Sequence, residues 1–300
     1  MQKILVTGGA GFIGSNLIEK LVELYPKSEI ISIDNYFTGS KKNHINSQNV
    51  SYIEEYTCNI DNILAIWSRG WSREKWVPDT IFHLGEFSRI VQSFKDIEIC
   101  GNSNMRGTFA VLNYWRRNKC KLIYAASSSK FGNDGKDENL SPYAWMKAKN
   151  VELIKNFSDW FGLDYAITYF FNVYGPRQIL EGEYAAVIGI FQNQYLAGKP
   201  LTVVEPGTQR RDFTYVEDIV EGMIKAAEKG SGDGYLLGTG VNHQIIDVAK
   251  MFNHEIKMIP ERKGERFSGK AYPSKAEKEL GWKAKTQLKD YINNWIKNLS

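Results

Sequence analysis

The first half of the chain alternates short apolar runs with longer segments whose apolar residues recur at helical spacing. The segments 12–24 and 104–118 show this helical spacing most clearly. Five short runs rich in β-branched residues are typical of buried strands. They are Ile4-Leu5-Val6, Ile30-Ile31-Ser32-Ile33, Ile81-Phe82-His83-Leu84, Leu122-Ile123-Tyr124 and Ala166-Ile167-Thr168-Tyr169. Strands that alternate with helices predict right-handed βαβ units, and therefore an α/β protein built on a parallel sheet.

This alternation weakens after about Tyr174, where glycine and proline become frequent. We therefore predict that residues 1–174 form the first lobe and that residues 175–300 mainly form a smaller α/β lobe. The segment 213–240 is expected to return to the first lobe. In folds of this kind ligands bind at the carboxyl-terminal edge of the sheet, which here lies between the two lobes.

A glycine-rich turn follows the first predicted strand and opens the first predicted helix. Gly9-Ala10-Gly11-Phe12-Ile13-Gly14 matches G-x-G-x-x-G, and Gly8 extends it. Such glycines let the backbone approach a pyrophosphate, which the helix N-terminus attracts. Asp34 ends the second strand, where a carboxylate bonds the ribose hydroxyls of NAD and repels a 2′-phosphate. These residues predict a Rossmann-type, doubly wound sheet that binds NAD; Lys41 and Lys42 offer NADP as an alternative, although a solvated loop is the simpler interpretation.

Two Tyr-x-x-x-Lys pairs occur in the chain, Tyr143 with Lys147 and Tyr195 with Lys199. The first follows Ser141-Pro142, which is typical of a helix N-cap and first turn, so its two residues lie on one helix face. A nearby ammonium favours the phenolate of a tyrosine, which makes the first pair a candidate general base. The second pair lies at a predicted helix end, and we interpret it as surface.

The composition narrows the class of protein further. Of 300 residues, 43% are hydrophobic and 24% are charged, which excludes a disordered or collagen-like chain. A scattered net charge of +4 predicts no nucleic-acid partner, although it suits an anionic small ligand. Three well-separated cysteines give neither a disulfide framework nor a metal clip, so no metal is expected. The short apolar run at the N-terminus predicts no signal peptide, no long apolar window predicts a membrane span, and the cytoplasm is the default location.

A series of motifs follows in order along nearly the whole chain. They are Thr7-Gly8-Gly9-Ala10-Gly11-Phe12-Ile13-Gly14, Asp34-Asn35, His83-Leu84, Asn104-Met105-Arg106-Gly107-Thr108, the serine run at 127–129, Tyr143 with Lys147, Phe171-Asn172-Val173-Tyr174-Gly175-Pro176-Arg177, Arg211-Asp212-Phe213 and Arg262-Lys263-Gly264-Glu265. With these motifs the chain resembles the extended short-chain dehydrogenase/reductases. Among them it is similar to the NAD-dependent nucleotide-sugar epimerase/dehydratase family, and closest in type to the UDP-hexose 4-epimerases.

The resemblance implies a role for each matching position. Ser127, Tyr143 and Lys147 would be catalytic, with Ser127 holding the substrate oxygen, Tyr143 as the base and Lys147 on the nicotinamide ribose. The residues implied at NAD are Gly8, Gly11, Phe12, Ile13, Gly14, Asp34, Asn35, Asn59, Ile60, Leu84, Gly85, Asn104, Tyr143, Lys147 and Phe170. Those implied at the substrate are Ser88, Ser128, Asn172, Arg211, Arg262 and Gly269, with the two arginines clamping a diphosphate. The implied partners are a nucleotide sugar, in the first place a UDP-sugar, and a second copy of the chain in a homodimer.

Several positions depart from the family's pattern. Its usual alanine pair after His83-Leu84 is replaced by Gly85-Glu86, with Arg89 nearby. We expect Glu86 to pair with Arg89, the alternative being an unusual substrate pocket. Asn59 stands where an adenine-binding Asp is frequent, and its amide oxygen still accepts a hydrogen bond. Phe131 and Tyr169 replace a common Tyr and a common Arg, which affects the placement of the substrate more than that of the cofactor.

The serine run narrows the expected reaction. The family's 4,6-dehydratases resemble one another in carrying Asp-Glu directly after the catalytic Thr, and its decarboxylating members usually carry a Glu there. Ser128 and Ser129 occupy these positions and cannot do that acid–base work. Hydride transfer alone suffices for 4-epimerisation through a 4-keto sugar, which is the reaction we expect. Another oxidoreductase or dehydratase of the family, or a non-catalytic NAD-binding regulator, stays open.

The resemblance also bears on the size of the sugar. Gly269 falls at the position that gates sugar size in the UDP-hexose 4-epimerases, where a bulky residue excludes the N-acetyl group. Glycine leaves room there, so N-acetylated hexoses are expected to be accepted.

Overall fold

The computed structural model describes residues 1–71, 76–131, 136–261 and 271–299 of the chain. The strands in these residues are β1 (Lys3–Thr7), β2 (Glu29–Asp34), β3 (Val50–Glu54), β4 (Thr80–His83), β5 (Lys121–Ser127), β6 (Tyr165–Phe170), β7 (Val173–Tyr174), β8 (Leu201–Val204), β9 (Arg210–Asp212), β10 (Thr214–Tyr215), β11 (Gly232–Leu237), β12 (Asn242–Gln244) and β13 (Ile256–Ile259). The α-helices are α1 (Phe12–Leu24), α2 (Ile60–Trp71), α3 (Gln92–Lys95), α4 (Ile97–Gly101), α5 (Thr108–Asn118), α6 (Pro142–Phe161), α7 (Val187–Leu196), α8 (Val216–Lys229), α9 (Ile245–Met251), α10 (Ser274–Leu280) and α11 (Leu288–Lys297).

Seven strands form one parallel sheet in the order β11-β6-β5-β4-β1-β2-β3. This sheet confirms the predicted Rossmann-type α/β fold. The order in which strands are added to the sheet reverses at β1: β2 and β3 lie on one side of it, and β4 and β5 lie on the other. The loops after β1 and β4 therefore part at this point and leave a crevice at the carboxyl ends of the strands.

The central strand β1 shows why the apolar runs of the sequence are continuous. Ile4, Leu5 and Val6 are fully buried, because helices cover both faces of the sheet. Leu5 packs into the cluster on the face that carries α2 and α5. Its neighbours Ile4 and Val6 point to the opposite face, where they meet α1 and α8.

The five predicted strands are present, and two strands of the large sheet, β3 and β11, were not predicted. β3 reads Val-Ser-Tyr-Ile-Glu and lies at the edge of the sheet beside β2, with all of its side chains partly exposed. Its polar residues interrupt the apolar run, because an edge strand has only one neighbour and is not fully covered. The five predicted strands are buried on both faces, and their continuous apolar runs were therefore easier to recognise in the sequence.

The segment predicted as one helix over 104–118 is divided in the structure. The residues Asn102–Gly107 form a π-helical turn, and the regular helix α5 begins only at Thr108. The wide turn directs the Asn104 side chain to the backbone of Phe87: the Phe87 N–H donates to Asn104 Oδ1 at 2.7 Å, and Asn104 Nδ2 donates to the Phe87 carbonyl at 3.1 Å. Asn104 is fully buried as a result.

The C-terminal half builds three small sheets, in which β10 pairs with β7, β12 with β9 and β13 with β8. A separate hydrophobic cluster joins α7, β8, α9 and α11. α8 packs instead against α1 and the large sheet, and β11 joins that sheet beside β6. The boundary at 174/175 stays a prediction. Within the described ranges no helix combines the length and the apolar character needed to span a membrane.

Candidate active site

A cleft of about 1400 Å³ opens at the carboxyl ends of β1, β2, β4 and β5. It is lined by most of the residues that the sequence predicted at a cofactor, a substrate or the chemistry. These are Gly8, Gly11, Phe12, Ile13, Gly14, Asp34, Asn35, Asn59, Leu84, Gly85, Ser88, Ser127, Ser128, Tyr143, Lys147, Phe170 and Asn172. The structure therefore brings together residues that are far apart in the sequence.

The glycine-rich turn leaves no space for side chains. Gly8 has a φ of +75°, and a Cβ atom there would lie 2.9 Å from the backbone of Gly85. A Cβ atom on Gly14 would lie only 2.1 Å from the carbonyl oxygen of Gly8. The turn thus holds the N-terminus of α1, which begins after Gly11, directly against the cleft. Bare backbone and unpaired N–H groups at this point fit the pyrophosphate of NAD.

The Asp34 carboxylate is fixed at the end of β2 by backbone donors. The N–H of Ala10 donates to Oδ2 at 2.9 Å, and the N–H of Tyr36 donates to Oδ1 at 2.8 Å. Burial raises the pKa of Asp34, and the N–H donors of Tyr36, Ala10 and Gly11 oppose that rise. An ionised carboxylate offers about four lone-pair directions, so these three N–H donors leave room for a further donor, which suits a hydroxyl of an adenosine ribose.

We expect the purified protein to retain NAD, and to prefer it to NADP. The Asp34 carboxylate would repel a 2′-phosphate. The 4-epimerisation expected from the sequence would return the hydride in every cycle, so that the cofactor need not leave. Denaturing the protein and analysing the released small molecules by mass spectrometry checks the first point, and calorimetry with both cofactors checks the second. Recovery of NADP alone, or equal affinities, would contradict the role assigned to Asp34.

The Tyr143–Lys147 pair lies on α6, whose first turn is formed as the sequence predicted. The Ser141 hydroxyl caps the helix by accepting a hydrogen bond from the Ala144 N–H at 3.1 Å. Tyr143 and Lys147 are nearly buried, and both line the cleft. Ser127, at the end of β5, lines the same cleft.

The second pair has a different setting. α7 ends at Leu196, so Tyr195 and Lys199 do not share a helix face. The Tyr195 ring packs against Phe252 and Trp295 in the C-terminal cluster. These contacts favour Tyr143 and Lys147 as the functional pair.

The expected pairing of Glu86 with Arg89 is wrong, because Glu86 forms an ion pair with Lys147. The Glu86 carboxylate is almost fully buried. It accepts further hydrogen bonds from Asn150 Nδ2 at 2.8 Å, from the Thr108 hydroxyl at 3.0 Å and from the Tyr124 hydroxyl at 3.1 Å. A buried carboxylate needs such donors, and none of these three lines the cleft, whereas Arg89 does.

Arg89 contacts neutral groups instead. Its Nε donates to the carbonyl of Tyr184 at 2.6 Å, and its Nη1 donates to the carbonyl of Ser88 at 3.0 Å. Burial lowers the pKa of the Arg89 guanidinium, and its proximity to Tyr143 and Tyr184 acts in the opposite direction. Arg89 therefore places a cation in the cleft near Tyr143, and within the described residues no carboxylate forms an ion pair with it.

Three predicted residues do not line the cleft. Ile60 belongs to the hydrophobic core, and Asn104 holds the backbone of Phe87. Arg211 lies on β9, where it pairs with His243 on β12 and donates from Nη1 to the Arg210 carbonyl at 2.9 Å. The predicted residues Arg262 and Gly269 lie outside the described residues.

Sequence reasoning missed an aromatic wall at one end of the cleft. The rings of Phe37 and Tyr184 meet edge to face at a centroid distance of 5.3 Å, and Phe87 packs against both. The Tyr184 hydroxyl donates to Asp96 Oδ2 at 2.6 Å. The only signal for Phe87 was its place two residues after Gly85, and no motif marked Tyr184.

Comparison with known proteins identifies the family. The model of the NAD dependent epimerase/dehydratase family matches residues 4–238. The chain is similar to UDP-glucose 4-epimerase of Thermotoga maritima, solved with UDP-glucose (28% identity, all of both chains, TM-score 0.87). It is also similar to UDP-glucuronic acid 4-epimerase of Bacillus cereus, solved with UDP-glucuronic acid and NAD (27% identity, all of both chains, TM-score 0.86).

A third relative is named for a different reaction. UDP-glucuronic acid decarboxylase 3 of Arabidopsis thaliana is 29% identical over 96% of this chain and 86% of its own length. All three proteins are named for a UDP-sugar, and they differ in the reaction and the sugar. NAD is named by the family model and by the Bacillus cereus structure. The protein therefore belongs to the NAD-dependent epimerase/dehydratase family, and its cofactor is NAD.

Proposed function

We propose that this protein inverts C4 of a nucleotide-activated hexose, in the first place a UDP-sugar, by transient oxidation to a 4-keto sugar. The observation that carries this proposal is the meeting of Ser127, Tyr143 and Lys147 at one cleft that also contains the glycine-rich turn. A hydroxyl, a phenol and an ammonium in one place suit the removal of a proton from a secondary alcohol.

In this mechanism Ser127 holds the 4-hydroxyl of the sugar, and Tyr143 takes its proton as the C4 hydride leaves. Lys147 lies one helical turn from Tyr143, and its positive charge favours the phenolate. NAD, when bound, accepts the hydride and later returns it. The cleft would have to let the keto sugar turn over and present its opposite face, and Tyr143 would return the proton to the oxygen at C4.

The side chains around the cleft favour epimerisation over dehydration. A dehydratase needs an acid and a base near C5 and C6, but Ser128 and Ser129 stand where the family's dehydratases carry them. Among the described residues, the carboxylates that line the cleft are Asp34, Glu86 and Glu183. Asp34 is held at the end of β2, Glu86 is bound to Lys147, and Glu183 pairs with Lys95 at the exposed rim.

Incubation with a panel of UDP-, GDP- and dTDP-sugars, followed by NMR, tests the proposal. We expect C4 inversion with no added cofactor and no net change in NADH. Release of water or carbon dioxide would assign a dehydratase or a decarboxylase. Net consumption of cofactor would identify an oxidoreductase, and NAD binding without turnover of any sugar would favour the regulator.

From the resemblance alone, we also propose that Gly269, which lies outside the described residues, determines the size of the accepted sugar. Replacing Gly269 by tyrosine should impair UDP-N-acetylglucosamine and spare UDP-glucose, because only the first needs space at C2. Overpacking of this kind typically costs about 1–3 kcal/mol. The ratio of the two kcat/KM values in the native protein and the variant is the measurement. A ratio that does not change would remove the argument for N-acetylated sugars.

Arg89 supports a second candidate substrate, a nucleotide sugar with a carboxylate at C5. A cation beside Tyr143 without a carboxylate partner in the described residues suits an acidic sugar. Nη2 of Arg89 makes no hydrogen bond within the described part of the chain, so it is available to a ligand. Two of the similar proteins are named for UDP-glucuronic acid.

Replacement of Arg89 by methionine separates the two candidates. If the sugar is a uronic acid, the variant should lose about 1.5–3 kcal/mol of binding, which is about 10- to 150-fold in kcat/KM. Neutral UDP-hexoses should be affected much less. Equal losses for UDP-glucuronic acid and UDP-glucose would mean that Arg89 only supports the Tyr184 backbone.

The homodimer expected from the resemblance also stays a proposal. α5 exposes about half of Phe109, and α6 exposes much of Trp145, Trp160 and Phe161. These large apolar side chains on neighbouring helices give a surface that suits helix packing between two copies of the chain.

A further inference from the structure

The Glu86 carboxylate is the one feature of the site that the family's usual alanine pair does not provide. Four side chains donate to it: Lys147 to Oε2, and Thr108, Tyr124 and Asn150 to Oε1. Only 1% of the Glu86 side chain is exposed, and only 7% of that of Lys147. The two charges therefore interact where water screens them little.

The directions of the surrounding hydrogen bonds are those that a carboxylate at Glu86 requires. The Thr7 hydroxyl oxygen accepts from the N–H groups of Leu84 and Gly85, so its own proton goes to Nδ1 of His83 at 2.7 Å. Burial lowers the pKa of His83 to about 4. The imidazole is consequently neutral, with its proton on Nε2.

The same reasoning extends from His83 to the carboxylate. Nε2 of His83 donates to the Thr108 hydroxyl oxygen at 2.9 Å, so Thr108 uses its proton for Glu86 Oε1. Burial also raises the pKa of the Tyr124 phenol, which keeps this group a donor. Every neighbour of the carboxylate thus offers a proton, and none accepts one.

This network also determines how many N–H donors of Lys147 can bind the cofactor. Its ammonium carries three N–H donors. One goes to Glu86, and a second goes to the carbonyl of Ala125 at 2.5 Å. Glu86 and Ala125 therefore use two of the three N–H groups of Lys147. We assign the third N–H group to the nicotinamide ribose in the cleft.

We propose that Glu86 is a positioning residue for Lys147 and that its negative charge holds the bound NAD in the oxidised form. The nicotinamide ring is positive when oxidised and becomes neutral when it gains two electrons and a proton as hydride. A buried anion that touches the ribose-binding lysine stabilises the positive form. If the keto sugar dissociated before the hydride returned, NADH would remain bound. A charge that favours NAD makes the state with NADH and keto sugar less populated, and it therefore limits this loss.

The ratio of bound NADH to bound NAD tests this inference without any sugar. The holoenzyme is equilibrated anaerobically with a redox dye at a set ratio of its oxidised and reduced forms, and bound NADH is read by fluorescence. Glu86→Gln should raise the NADH-to-NAD ratio by at least about tenfold, as expected for a unit charge within several ångströms in a protein interior. Glu183→Gln removes the same charge at the exposed rim of the cleft and should leave the ratio unchanged.

A second variant distinguishes the charge effect from a structural one. Lys147→Met removes the opposite charge and should lower the NADH-to-NAD ratio, whereas a merely structural role predicts the same direction for both variants. A ratio that is unchanged or falls in Glu86→Gln would overturn the proposal. So would a rise in Lys147→Met, or the loss of NAD from both variants. Because no sugar takes part, failure of the proposed epimerisation would not affect this result.

Discussion

Replacing Tyr143 by phenylalanine should lower turnover by at least about 100-fold, the usual contribution of a positioned acid–base group. The variant loses only the phenolic oxygen. Its ring still packs in the small cluster with Phe87 and Cys100. Folding and NAD binding should therefore be unchanged. The loss should appear in kcat, measured by NMR on a sugar that the native protein converts.

Tyr195→Phe is the matched control for this experiment. Tyr195 is also followed four residues later by a lysine, but its ring packs against Phe252 and Trp295 and does not line the cleft. This variant should keep nearly native turnover. Equal losses in the two variants would show that the wrong pair has been assigned to the chemistry.

Replacing Gly14 by alanine should have the second large effect, and it should act on NAD binding. The added methyl group would lie 2.1 Å from the Gly8 carbonyl and 2.8 Å from Gly9 Cα. Both are backbone atoms, which cannot be displaced without a large cost in free energy, so α1 must move away from the turn. Overpacking typically costs about 1–3 kcal/mol, and we expect NAD to bind at least about tenfold more weakly, since each 1.4 kcal/mol is a factor of ten.

Gly101→Ala provides the control, because Gly101 also lies in a helix. The nearest atom to its added methyl group is Cε of Met146 at 3.9 Å, an ordinary contact. Calorimetry with NAD and a thermal unfolding curve should show a loss for Gly14→Ala and none for Gly101→Ala. If Gly14→Ala binds NAD as the native protein does, the turn does not hold the pyrophosphate.

The sequence predicted those features that depend on local patterns. The strands buried on both faces, the first helix, the glycine-rich turn and Asp34 all follow from residue type and spacing over short stretches. The Ser141-Pro142 start of α6 likewise separated Tyr143 from Tyr195. Each of these signals lies within about 20 residues.

The features that the sequence did not predict depend on distant contacts. Glu86 and Lys147 are 61 residues apart, and nothing near Glu86 in the sequence distinguishes this lysine from Arg89 as a partner. The choice follows from the other donors: Thr108, Tyr124 and Asn150 also donate to the Glu86 carboxylate and hold it beside Lys147. Arg211 was assigned to the substrate by resemblance alone; on β9 it does not line the cleft, and its role stays a prediction.

The π-helical turn at Asn102–Gly107 sets the number of residues that must separate α4 from α5. Deleting one residue there would restore regular α-helical bonding, but it would rotate α4 relative to α5 by about 100°, one residue's share of a helical turn. Asn104 would then swing away from the Phe87 backbone, and the loop that carries Glu86 and Arg89 would lose its support. We therefore expect the length of this segment to be far less free to vary during evolution than the identity of its exposed residues.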